Sequence, residues 1–159
     1  MRSGYERRAG LDEALDRVQQ LSVQTVIFDI EPLIAHWDSG QEALDQGIAH
    51  VLIRADAIPG VKVVCFSTNS LRRPSLVPSS KVRAVYLSAA GKPLRTAQYR
   101  DFPRPGAVVG DQMATDGILA RRLGYTYLEC PPPDQMPLGP RMMHELGSLV
   151  RPFVFTGHG

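Results

Sequence analysis

QTVIFDIEPLIAHWD, residues Gln24 to Asp38, decides the fold. Val26, Ile27 and Phe28 are β-branched or aromatic and form an unbroken apolar run, the pattern of a strand buried on both faces of a parallel sheet. The run stops at Asp29, and a second acid, Glu31, follows two residues later. Asp29 therefore sits at the carboxyl end of a strand, where open α/β sheets carry their ligand sites. The plainer alternative for the same residue is a turn-initiating Asp at the start of a loop.

Working outward, Met1 to Gly10 is polar and glycine-bearing and reads as a flexible N-terminus. Leu11, Leu15 and Val18 recur on one stripe of a helix with acids in its first turn. Downstream of Asp38, Ser39 and Glu42 stand in the capping-box arrangement, and Ala43, Leu44, Ile48, Val51, Leu52 and Ala55 continue a helix that Pro59-Gly60 ends. VKVVCF, residues 61 to 66, is a second buried strand that runs into Ser67-Thr68-Asn69-Ser70. Residues 71–80 carry no helical pattern. Val82 to Leu87 is a third strand with Lys92 beyond it, and a short helix is expected over Leu94 to Tyr99. Ala107 to Val109 is a fourth strand, closed by Gly110-Asp111. A helix over Thr115 to Leu123 ends at Gly124, a fitting C-cap, before a fifth strand over Tyr125 to Cys130. A last helix is expected over Met142 to Val150, with residues 153–159 as a tail. Strands and helices alternating at this spacing predict an α/β protein: one Rossmann-like, doubly wound parallel sheet of about five strands, in a single domain over residues 11–152.

Composition narrows the partners. The 18 basic and 16 acidic side chains leave a formal charge of +2, and no basic run is interleaved with aromatics, so nucleic acid is not expected. No apolar run reaches the length of a bilayer span and the first ten residues lack a secretory core, so no integral membrane segment and a cytoplasmic location are expected. Cys65 and Cys130 fall in strands without metal-ligand spacing and read as reduced core thiols. Oligomeric state is not legible.

In a parallel sheet the strand ends share one edge. Asp29 and Glu31, Ser67 to Asn69, Lys92, and Asp111 with Asp116 would therefore converge on one cleft. Acids beside a lysine have a simple chemical reading: carboxylate oxygens hold Mg2+, and the cation with the lysine neutralises a phosphate. Arg72, Arg73 and Arg83 are further candidates to line the cleft, with an ordinary solvated surface as the alternative. Trp37 either borders the site or packs against it.

FDIEPLIAHWD, VVCFSTNSLRR, GKP and VVGDQMATDGILARRLGY, taken in this order over about residues 24–133, resemble the four motifs of the haloacid dehalogenase superfamily of phosphatases. Within it they resemble the cap-less subfamily IIIA, the YqeG-type group. The resemblance implies that Asp29 is a nucleophile forming an aspartyl-phosphate. It implies Mg2+ held by Asp29, the Glu31 carbonyl, Asp111 and Asp116. Ser67, Asn69 and Lys92 would bind the phosphoryl group, and Glu31 would stand where the family has its acid/base Asp. The family's first motif is close to DxDNTL, and Glu31, Pro32 and Leu33 depart from it. The extra methylene of Glu shifts the carboxyl by about 1 Å, enough to cost roughly 10²-fold in rate if nothing re-aims it.

Two functions follow. One is a Mg2+-dependent phosphomonoester hydrolase; the other is a catalytically impaired phosphate- or metal-binding protein of the same fold. A nucleotide-binding domain is disfavoured, because no glycine-rich loop follows the first strand. One helix and its connections account for Asp38 to Gly60, so no large cap is expected, and an open cleft favours a large or extended phosphorylated substrate.

Overall fold

The computed structural model describes residues 4–75, 78–132 and 138–155. Its framework is one six-stranded sheet in which every neighbouring pair is parallel. In chain order the elements are β1 (Tyr5–Arg7), α1 (Leu11–Leu21), β2 (Thr25–Asp29), α2 (Gln41–Asp56), β3 (Val63–Ser67), β4 (Arg83–Leu87), β5 (Gly106–Gly110), α3 (Ile118–Leu123), β6 (Thr126–Glu129) and α4 (Leu138–Phe155). The strands lie in the order β1-β6-β5-β2-β3-β4. The α/β class, the parallel sheet and the lack of a large cap agree with the sequence reading. No helix among the described residues is long and apolar enough to cross a membrane.

β2, β3 and β5 are buried along their whole length, which is why their sequences are continuous apolar runs rather than alternating ones. The two-residue period still sorts their side chains between two cores. Val26, Phe28, Val64, Phe66 and Val109 join α1 and α2 on one face. Ile27, Cys65, Val108 and Tyr127 join Tyr99, Phe102 and the α3 residues Leu119 and Leu123 on the other. Asp29 and Ser67, paired in register, continue the second set. Both cysteines are buried and unpaired, and burial pushes each thiol up to about 12.

Five sequence expectations need correction. The sheet has six strands because Tyr5–Arg7, expected to be flexible, adds to its edge beside β6. The Tyr5 hydroxyl and Arg151 both donate to buried Glu129, and Arg17 donates to Glu6 at 2.7 and 2.8 Å, ties that no local pattern reveals. The capping box does not form: Gly40 is the N-cap of α2, and Ser39 Oγ donates to His36 O at 2.7 Å instead. The expected helix at 94–99 is a single 3-10 turn, Ala97–Tyr99. The helix expected from Thr115 opens as a wide π turn over Met113–Gly117 before α3 begins, and Gly124 caps α3 in the left-handed conformation at φ +71°. Finally, α4 runs to Phe155, through the start of the expected tail, whose residues 156–159 lie outside the described ones, as do 1–3 of the N-terminus.

Gly47 of α2 sets how closely that helix approaches the turn following Asp29. A Cβ there would lie 2.5 Å from Ile34 O and 2.7 Å from Ile34 Cγ2. Helix propensity alone favours Gly47→Ala by up to about 1 kcal/mol. The clash with backbone should reverse the sign, so urea denaturation of Gly47→Ala is expected to show a loss of about 1–3 kcal/mol.

Candidate active site

The chain leaves β2 for β3 on one side and later returns to β5 on the other, so the gap between the carboxyl ends of β2 and β5 is the switch point of the sheet. Asp29 closes β2 and Asp111 follows β5 across that gap. The π turn brings in the third acid. Its wide loop, in which Thr115 N, Asp116 N and Gly117 N converge on Gln112 O at 3.2, 2.8 and 3.3 Å, turns Asp116 back over the end of β5. Gly110 makes room for it: a Cβ at that position would lie 2.3 Å from Asp116 Oδ2.

Lys92 completes the group from the far side of β3. Its ammonium donates to Asp29 Oδ1 and Asp116 Oδ1, each at 2.7 Å, and to Ser67 O at 3.3 Å. Asn69 holds the lysine's backbone on both edges, accepting from Lys92 N at 2.9 Å and donating to Lys92 O at 3.2 Å. Its amide thus braces Lys92, and Asn69 also lines the cleft beside it.

The electrostatics of this cluster are unbalanced. Asp29, Asp111 and Asp116 are 7, 1 and 0% exposed, and their ligand oxygens all lie within 4.8 Å of one another. Three carboxylates against one lysine leave a buried charge of −2 when all are ionised. Neither oxygen of Asp111 nor Oδ2 of Asp116 meets a hydrogen-bond donor. Burial and then Asp116 push the Asp29 carboxyl up to about 7, although Lys92 pulls the other way. Burial, then Asp29 and Asp116, push Asp111 up to about 9, and the close approach of Asp29 to Asp111 becomes a hydrogen bond only if one of them holds a proton. Burial alone would lower the pKa of Lys92, but Asp116 and Asp29 outweigh it and raise it, so the lysine stays charged. An all-oxygen donor set with orphaned lone pairs and a −2 deficit fits a hard divalent cation such as Mg2+.

Glu31 belongs to a different wall. Its Oε2 accepts from Thr68 Oγ1 at 2.6 Å, its Oε1 accepts from Ser70 Oγ at 3.0 Å, and the Arg72 guanidinium lies 3.7 Å away. The acid lines an open cleft of about 390 Å3 whose floor includes Asp29 and Lys92 and whose sides include Trp37, Arg72 and Gln112. Ser67 is at the predicted strand end, but its hydroxyl is fully buried and shares a 2.9 Å hydrogen bond with Tyr99 OH. The hydroxyl residues that line the cleft are Thr68, Ser70 and Thr115. Of the three candidate arginines only Arg72 lines it; Arg73 donates to Ser88 Oγ at 2.9 Å, and Arg83 is exposed on β4.

Comparison with family models, curated proteins and solved structures finds no match to this chain.

The sequence reading thus brought Asp29, Asp111, Asp116 and Lys92 to one place. It assigned Ser67 and Asn69 to phosphate; the Ser67 hydroxyl is buried against Tyr99, while Asn69 lines the cleft and braces Lys92. The roles of Gly110 and Asn69 carry no local signal, because each serves a residue distant in the chain.

The raised carboxyl of Asp111 has a measurable consequence. Between about pH 4, where an unfolded Asp ionises, and about pH 9, the unfolded chain binds fewer protons than the folded one, so Asp111 lowers stability progressively as pH rises. In chelator, Asp111→Asn should therefore be more stable than wild type at pH 8, and the difference should shrink by pH 5. Millimolar Mg2+ should raise the melting temperature of wild type and leave the variant nearly unmoved, as read by thermal denaturation.

Proposed function

We propose that this protein is a Mg2+-dependent phosphomonoesterase that works through Asp29, a member of the haloacid dehalogenase superfamily of the cap-less IIIA type. The observation that carries the reading is the buried acidic cluster itself: a strand-end carboxylate and the lysine that holds it line an open cleft, and beneath them lie two buried acids with oxygens that no donor meets. A bound Mg2+, held by Asp29, Asp111 and Asp116 with the Glu31 carbonyl, would neutralise phosphoryl oxygens and lower the Asp29 pKa.

In this reading an Asp29 oxygen attacks phosphorus, the bond from phosphorus to the leaving oxygen breaks, and that oxygen takes a proton from Glu31. Water then gives its proton back to Glu31 and attacks the aspartyl-phosphate, releasing inorganic phosphate and restoring Asp29. Lys92 spans Asp29 and Asp116 and offsets the negative charge of the incoming phosphate. Asp116 holds Lys92 in place, and Asn69 fixes the loop that bears it. With no cap over the cleft, a substrate extending past its rim is suited to it. The two reduced, buried thiols fit a cytoplasmic setting.

One observation favours a second reading, a phosphate- or metal-binding protein without turnover. Both oxygens of Glu31 are engaged by Thr68 and Ser70, and Arg72 stands close by, so the acid must exchange a partner before it passes a proton.

Purified protein with Mg2+ should hydrolyse 4-nitrophenyl phosphate. Asp29→Asn should lower kcat at least about 10³-fold, and Glu31→Asp should hold or raise it. An inert wild type whose turnover appears in Glu31→Asp would establish the second reading instead.

A further inference from the structure

We propose that the turn carrying Trp37 is the leaving-group subsite and that it takes phosphomonoesters of aromatic alcohols. The inference rests on the phosphatase reading for the bond that is cleaved, but not for the binding of the ring.

Trp37 is half-buried and lines the same cleft as Asp29 and Lys92, yet it belongs to neither hydrophobic core among the described residues. Core packing therefore does not account for where it sits. The turn that presents it is braced on purpose-built contacts. Ser39 closes it by donating to His36 O from its backbone N at 3.1 Å and its hydroxyl at 2.7 Å. One guanidinium grips both ends: Arg72 Nη1 donates to His36 O at 2.8 Å, and Nη2 donates to Ser39 O at 2.8 Å and Ser39 Oγ at 3.3 Å. Trp37 and Asp38 form the tip. The His36 imidazole meets the indole edge-on, with centroids 5.2 Å apart at 72°, and His36 is itself tied to Asp38.

The result is a braced aromatic surface in the same cleft as Asp29 and Lys92. A planar leaving group gains an offset-stacked contact with the indole at little entropic cost, because the platform is already ordered. The Gln112 and Thr115 side chains face the same cleft and provide polar groups. Arg72 links the two halves of the site, since the side chain that braces the Trp37 turn also lies against Glu31, the acid assigned to the leaving oxygen.

The test compares phenyl phosphate with glycerol phosphate in wild type, Trp37→Ala and Trp37→Phe. The ratio of the two substrates' kcat/KM removes any general loss in a variant, and comparing that ratio between proteins cancels the substrates' intrinsic reactivity. Trp37→Ala should lower the phenyl-to-glycerol ratio about 3- to 10-fold, the size of one aromatic contact, and Trp37→Phe should keep most of it. An unchanged ratio in Trp37→Ala would overturn the inference and leave the phosphatase reading standing. Trp37 is the chain's one tryptophan, so its emission is a direct second probe. With Mg2+ present, phenylphosphonate should shift or quench it in wild type, and methylphosphonate at equal occupancy should do so far less. Equal responses to the two ligands would overturn the inference, whereas a wild type that turns over neither ester but shows the phenyl-selective response would sink the phosphatase reading and keep the subsite.

Discussion

The ammonium of Lys92 bridging Asp29 and Asp116 is the contact on which the rest of the site depends. Moving each of these ions out of water costs on the order of several kcal/mol after relaxation, and a lysine shared between two acids repays it only in part. The third acid, Asp111, makes the sum worse. A fold optimised for stability alone would replace such a group with apolar residues. The glycine that admits Asp116 and the amide that pins Lys92 hold this unbalanced group together, and one oxygen from each of its three carboxylates could hold a metal ion.

The cleft divides into two electrostatic subsystems that share little. On one side the three aspartates and Lys92 would sum to −2 with every carboxyl ionised, a charge that burial and mutual repulsion oppose by raising the pKa of Asp29 and Asp111. On the other, Glu31 and Arg72 sum to zero, with Thr68 and Ser70 satisfying the carboxylate. The first could hold a metal ion; in the second the charge is already balanced. Glu31 is therefore held apart from the three aspartates by its own partners, which engage both of its oxygens.

Much of this was legible in the chain because both determinants are local. Uninterrupted apolar runs such as VIF and VVCF mark doubly buried strands, and an acid, hydroxyl or lysine directly after each marks the sheet's carboxyl edge. What failed was long-range or one residue fine. β1 is only Tyr-Glu-Arg, and its anchors, Glu129, Arg17 and Arg151, lie far away in sequence. Ser67 and Thr68 are chemically alike, but the two-residue period of the strand turns the first toward Tyr99 and leaves the second to face Glu31. The capping box at Ser39 lost because the same hydroxyl closes the His36 turn, a competition between two local hydrogen bonds that residue types alone do not resolve.

The departure at Glu31 has its own physical logic. Were β2 to continue, Glu31 would project from the same face as Asp29 and add a fourth negative charge to an already overcharged cluster. The strand stops instead: Ile30 N donates the last ladder bond to Ser67 O at 3.3 Å, and a turn closes with Ile34 N and Ala35 N both donating to Ile30 O. Released from the pleat, residue 31 can aim at the loop after β3, and the extra methylene of Glu over Asp supplies the reach to two hydroxyls there. Length of side chain and end of strand thus act together to keep two acids only two positions apart in separate environments.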